Sequence, residues 1–303
     1  MNRLLYIPVM LWTFTACSDD VTNRDNSLQE IKIEGYIGTE SVTRAIDNTW
    51  NNADQIGVSG SGKGNVLYSA TSTSTTAGFT STTPIYYTSP ASYYDAYYPY
   101  NASPTTNTAA QTIFTVTTGP TQNESADARK NIDVLWAKTS STVETGTNVT
   151  FAFNHMLSEL IITFDWTGTG FGSAPASWDF TIGSVYQSAT VEINHTQYSS
   201  SWSVPTCTVS ASGTASNYTV SGWTSNTYTM IAPAQDLSSH AFSVTTGGIT
   251  YSGTLPASFS LTQFQKSTVT IKVSKTGLSV TSATVNSWGN GTESNSSAIT
   301  ATL

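Results

Sequence analysis

The strongest constraint on this chain is the spacing of its apolar residues. They come in runs of four to eight with period-two alternation, and no stretch sustains a helical repeat. Side chains on a strand alternate between its two faces, so such runs bury one face and wet the other. In "EIKIEGYIGT", Glu30 to Thr39, Ile31, Ile33 and Ile37 lie on one face and Lys32, Glu34 and Tyr36 on the other. Thr, Tyr, Val, Ile and Trp suit a pleated surface, and the abundant Gly, Asn and Ser supply turns. Hydrophobic residues make up 38%, enough for a core, and 303 residues suit one large or two medium domains. The succession of strands and turn signals predicts an all-β fold of two β-sandwich domains, 30–147 and 148–303. The break is expected near Thr145 to Asn148.

The N-terminus reads as an address. Arg3 is followed by the apolar stretch "LLYIPVMLWTFTA" and then Cys17. This stretch is shorter than the roughly 20 apolar residues a spanning helix needs, and it fits the h-region of a signal peptide. "FTAC" resembles a bacterial lipobox, with Phe14 where leucine is usual, and "SDD" (Ser18 to Asp20) resembles a lipoprotein export signal of Bacteroidota. The resemblance implies cleavage after residue 16, acylation of Cys17 and attachment to outer-membrane lipid at the cell surface. Multiple acyl chains hold a protein stably at a membrane, whereas one is marginal. The alternative is an ordinary secretory peptide that happens to end in cysteine. Residues 18–29 are polar, as a tether is.

Little in the chain marks chemistry. The formal net charge is −8 with no basic cluster, which excludes nucleic acid as a partner. "GVSGSGKG" (Gly57 to Gly64) approaches a P-loop, but Gly64 stands where a magnesium-binding hydroxyl is needed; it reads as a hairpin loop. His155, His195 and His240 have no metal-ligand spacing, no GxSxG elbow is present, and a triad assembled over long range stays open. Asp47, Asp54, Asp127 and Asp133 lack EF-hand spacing, and no pair of carboxylates stands out as a glycosidase dyad. Cys207 reads as a small buried hydrophobe. Seven Asn-x-Ser/Thr sequons carry little weight in so Ser/Thr-rich a chain. We therefore expect no metal, no cofactor and no enzymatic activity. The cluster Tyr93, Tyr94, Tyr97 and Tyr98 could stack on a glycan or pack across strands.

Six stretches occur in a telling order: "WNNADQIGVS", "DAYYPYN", "DVLWAK", "FNHMLSELIITF", "MIAPAQ" and "TVTIKVSKTGLSVTSATVNSWGNG". Together they resemble the blocks of the fimbrillin-like family, the type V pilins of Bacteroidota. The resemblance implies two sandwiches of transthyretin-like topology and export as a lipoprotein. It also implies trimming by an arginine-specific protease, placed here between Arg44 and Ala45. Trimming removes the first strand, with Ile31, Ile33 and Ile37, and opens a groove for a neighbour's terminal strand. The partners would be other fimbrial subunits, and a host or bacterial surface glycan or protein. "AITATL" sets Ile299, Ala301 and Leu303 on one face, so 278–303 is a candidate donor tail. It could equally be an ordinary last strand on its own sheet, and Arg44 could be a solvated loop charge. A glycan-binding surface lipoprotein that does not polymerise is the competing reading.

Overall fold

The computed structural model describes residues 28–38, 48–168, 170–197, 201 and 203–288. Strands dominate, as the alternation predicts, and they build a closed barrel, three four-stranded sheets and a two-stranded sheet. Seven strands close a barrel in the order Ile33–Ile37, Thr76–Thr80, Lys63–Ala70, Gln55–Gly60, Tyr94–Tyr98, Leu135–Lys138 and Val149–His155. Inward positions fill it with Ile33, Trp50, Ile56, Val58, Tyr68, Phe79, Tyr94, Phe151 and Phe153.

The strand Val149–His155 was expected to open the second domain, yet it completes the barrel. It pairs with Ile33–Ile37 and with Leu135–Lys138. The turn-rich residues 145–148 are thus a connection inside the barrel, and the crossing to the next unit comes after His155. The cause lies in one long stretch without a Gly or Pro break: Phe151 and Phe153 serve the barrel core, while Leu160, Ile162 and Phe164 serve the next.

Beyond His155, two four-stranded sheets face each other across a second core. One runs Thr227–Ala232, Ser158–Asp165, Gln265–Ser274, Gly277–Ser287. The other runs Ser216–Trp223, Trp178–Val185, Ala241–Thr246, Ile249–Thr254. Aromatic rings fill the space between them, Phe180 meeting Tyr228 edge-on at 4.9 Å and Phe164 in a tilted contact at 5.3 Å.

A further sheet draws on both halves of the sequence: Thr106–Asn107, Gln111–Thr117, Ser188–Asn194 and Thr206–Ala211. Its Phe114, Val191 and Ile193 pack with the barrel's outward-facing Tyr97, and with Val134 just before the strand Leu135–Lys138, in a third apolar cluster. Met156, Leu157, Ile231 and Trp288 join the same cluster, so it binds the barrel to the second unit. Among the described residues no helix is long and apolar enough to cross a membrane.

Candidate functional site: the seam of the barrel

The strand Ile33–Ile37 is the seam on which the barrel closes. It runs antiparallel to Thr76–Thr80 and parallel to Val149–His155, with Gly35 level with Ala77 on one side and Phe151 on the other. Flanking backbone bonds extend the seam: Ile31 N–H donates to Ile85 O, Val149 N–H to Lys32 O, and Gly38 N–H to Phe153 O, at 2.8–3.1 Å. Ile31, Ile33 and Ile37 are 2, 3 and 6% exposed, as the alternation required.

Between the isoleucines lies a floor of aromatic rings that sequence reasoning did not assign. Trp50 meets Phe79, Phe153 and Tyr98 edge-on at 5.2, 5.1 and 5.5 Å, and its indole N–H donates to Gly35 O at 3.0 Å. A Cβ on Gly35 would lie 3.0 Å from a Phe153 ring carbon and 3.1 Å from one of Phe79. The seam strand therefore reads large, small, large along its buried face. Fully burying an aliphatic side chain stabilises by about 1.5–3 kcal/mol, so the three isoleucines together contribute roughly 5–9 kcal/mol. That equals much of the total stability of a typical domain, about 5–15 kcal/mol. The barrel without its seam would have two unpaired edges and an uncovered aromatic floor, a template for another strand.

The chain leaves the described structure after Gly38 and returns at Asn48. Ile37, Thr49 and Trp50 line a cavity of about 170 Å³ that also includes Arg129, Asp133 and Glu159. Arg44 and Ala45 lie outside the described residues, as do Cys17, Ile299, Ala301 and Leu303. Of the candidate donor tail 278–303, residues up to Ser287 belong to Gly277–Ser287, which pairs along its length with Gln265–Ser274. That portion is an ordinary last strand on its own sheet, which narrows the candidate donor to residues beyond Trp288.

The tyrosine cluster does not form a glycan platform. Tyr94 and Tyr98 point into the barrel core, and Tyr97 lies under the added sheet. Tyr94 Oη is 2.8 Å from Ser61 Oγ, and Tyr97 donates to Asn65 Oδ1 at 2.7 Å. Adjacent aromatics on a strand point to opposite faces, and here both faces are covered. Burial pushes the Tyr97 phenol well above its ordinary value. Only Tyr93 remains half-buried.

Two polar constellations appear that sequence spacing hid. His195 Nδ1 lies 3.0 Å from Asp95 Oδ2, while its Nε2 lies 2.8 Å from Thr112 Oγ1 and 3.3 Å from Ser59 Oγ. This has the order of a hydroxyl, imidazole and carboxylate relay, but Ser59 and Asp95 are wholly buried and His195 nearly so. Ser59 Oγ also accepts the Asn65 N–H at 2.9 Å. A substrate carbonyl could reach Ser59 only if the added sheet lifted off. The network fastens that sheet to the barrel, and burial holds the Asp95 carboxyl above its ordinary range against the pull of His195. His155, from the "FNHMLSEL" block, meets Asp133 Oδ2 at 2.7 Å and stacks on Trp288 at 4.0 Å. Blocks far apart in sequence thus meet in one contact. No group of three or more metal-ligating side chains occurs among the described residues.

These features define an all-β architecture whose barrel is sealed by a strand preceding the body of the domain. Residues 43–288 match the family model described as fimbrillin-like, most of the chain, and the protein belongs to that family. The family is one of fimbrial structural subunits. The match begins just before Arg44 and ends at Trp288, so the seam strand and residues 289–303 lie outside it. A Bacteroides uniformis protein, named as candidate fimbrium subunit Fim1C, is 31% identical over 170 residues, 52% of this chain and 53% of that protein. The chain thus spans about half the length of this curated relative. Two solved structures, named as candidate cell adhesion proteins, share the fold. That from Bacteroides uniformis has a TM-score of 0.63 at 22% identity, covering 88% of this chain and 99% of the other. That from Bacteroides ovatus has a TM-score of 0.62 at 18% identity, covering 86% and 98%.

Proposed function

We propose that this protein is the precursor of a structural subunit of cell-surface fimbriae. It is exported as a lipoprotein acylated at Cys17, cut between Arg44 and Ala45, and polymerised by strand exchange. The observation that carries the reading is the seam. One strand, buried on both edges and along its apolar face, is joined to the body of the barrel by a segment that contains Arg44. Hydrolysis of that one peptide bond would make the seam a separate peptide held only by non-covalent contacts. An incoming strand could then replace it and recover both the ladder bonds and the apolar burial.

The role is structural and adhesive, with other fimbrial subunits as partners. The buried Ser59–His195–Asp95 network supports a non-enzymatic role, because its hydroxyl is shut away between two sheets. Arg44→Ala in the producing cell is expected to leave the precursor folded and exported but to abolish polymer, seen as loss of the high-mass ladder on unboiled gels. Polymer at the parental level in Arg44→Ala would contradict the reading.

A further inference from the structure

The seam strand does more than fill a groove; it shows which strands the groove admits. Its buried face presents Ile33, Gly35 and Ile37, and the central position faces two phenylalanine rings from opposite sides. At 3.0 and 3.1 Å, a single Cβ there is tighter than an ordinary contact and requires the rings to give by a few tenths of an ångström. A second methyl group would enter the rings themselves. The Trp50 indole donates to the carbonyl of the same residue, which pins the backbone at this height and prevents the strand from lifting to make room. The flanking positions make the opposite demand, since Ile33 and Ile37 are almost completely buried. The groove therefore selects a five-residue pattern: large aliphatic, any, glycine or alanine, any, large aliphatic.

Residues 289–303 read "GNGTESNSSAITATL" and contain this pattern once, as Ile299, Ala301 and Leu303 with Thr300 and Thr302 between them. The two threonines would take the outward positions of Glu34 and Tyr36, which the barrel leaves exposed or half-buried. The described chain ends at Trp288, stacked on His155 at the end of the strand that forms one wall of the groove.

Taking Ile299–Leu303 of a second copy of this chain as the donor, we propose that the Gly35 position is a size gate for strand exchange, met by Ala301. This rests on the strand-exchange reading above. Each subunit then carries both a groove and a strand that fits it, which suits a self-polymerising shaft.

The test uses the full chain in its producing cell, with substitutions at and beside the gate residue. Ala301→Gly and Thr300→Val are expected to polymerise at the parental level, whereas Ala301→Val should lose polymer by at least tenfold. Phe79→Leu, which makes room at the gate, should restore polymer to Ala301→Val. The unprocessed Ala301→Val precursor should melt at the parental temperature, because the seam strand fills the groove before cleavage. N-terminal sequencing separates the two readings. Equal polymerisation of Ala301→Val and Thr300→Val, with subunits still beginning at Ala45, would overturn the gate while leaving strand exchange intact. Parental subunits that polymerise without cleavage would overturn both. Cleaved monomers whose residues 299–303 fill their own groove would also overturn the proposal.

Discussion

The first and last described strands make opposite kinds of boundary. Ile33–Ile37 has a neighbour on each side and a buried, exposed, buried pattern along its length. Gly277–Ser287 is about twice as long, pairs among the described residues only with Gln265–Ser274, and fully buries only Ala283. Removing an edge strand moves the edge inward by one strand. Removing a seam strand opens a closed barrel and creates two edges facing each other across an apolar floor. A short strand can therefore matter more than a long one.

This contrast can be broken by substitution, and the largest effect is expected beneath the seam. Trp50→Ala should cost about 3–5 kcal/mol in urea unfolding, since it removes a wholly buried ring and leaves the Gly35 carbonyl without its donor. An effect below about 1 kcal/mol would show that the aromatic floor does not hold the seam. Next, Ile33→Ala should cost about 2–5 kcal/mol, whereas Val280→Ala on the edge strand should cost about 1 kcal/mol or less. Equal losses would erase the distinction between seam and edge. Gly35→Val follows at about 1–3 kcal/mol, the range for overpacking, against Gly78→Val, where a Cβ meets nothing closer than 3.4 Å.

The smallest expected effect is one that both regions share. Burial raises the phenols of Tyr98 in the barrel and Tyr218 in the second unit, and raises that of Tyr228 to about 12. An acid with a raised folded pKa keeps its proton in the folded state after the unfolded chain has lost its own. Stability is therefore full below pH 10.0, the ordinary phenol value, and falls as pH rises toward 12. Melting temperatures measured across that range should decline in both units, and a flat profile would contradict the buried-phenol account.

The alternation of Ile31, Ile33 and Ile37 made the seam legible as a strand, and the same signal made the all-β class legible. What it could not show was the partner. The parallel pairing with Val149–His155 joins residues more than a hundred positions apart, and period-two patterns carry no record of which strand lies alongside. The domain break was misplaced for a related reason. Turn chemistry at 145–148 marks a turn equally well inside a domain or between domains, while the true crossing runs through the apolar Met156 and Leu157. Tyr93 to Tyr98 show a further limit. Alternation reveals which rings share a face, but a sheet assembled from strands at 106–117 and 188–211 decided that the outer face was covered. The Asp95–His195 pair was invisible for the same cause, since its members come from two units that meet only in three dimensions. Gly35 was quoted in the first strand yet assigned no role, because its meaning depends on two phenylalanines contributed by other strands.

The central claim is that the mature subunit is the chain without its seam, and mass spectrometry of the N-terminus in assembled fimbriae tests it most directly. The account predicts subunits that begin at Ala45, with the Ile33–Ile37 strand absent from the polymer. Subunits that still begin at acylated Cys17 and retain that strand would contradict it.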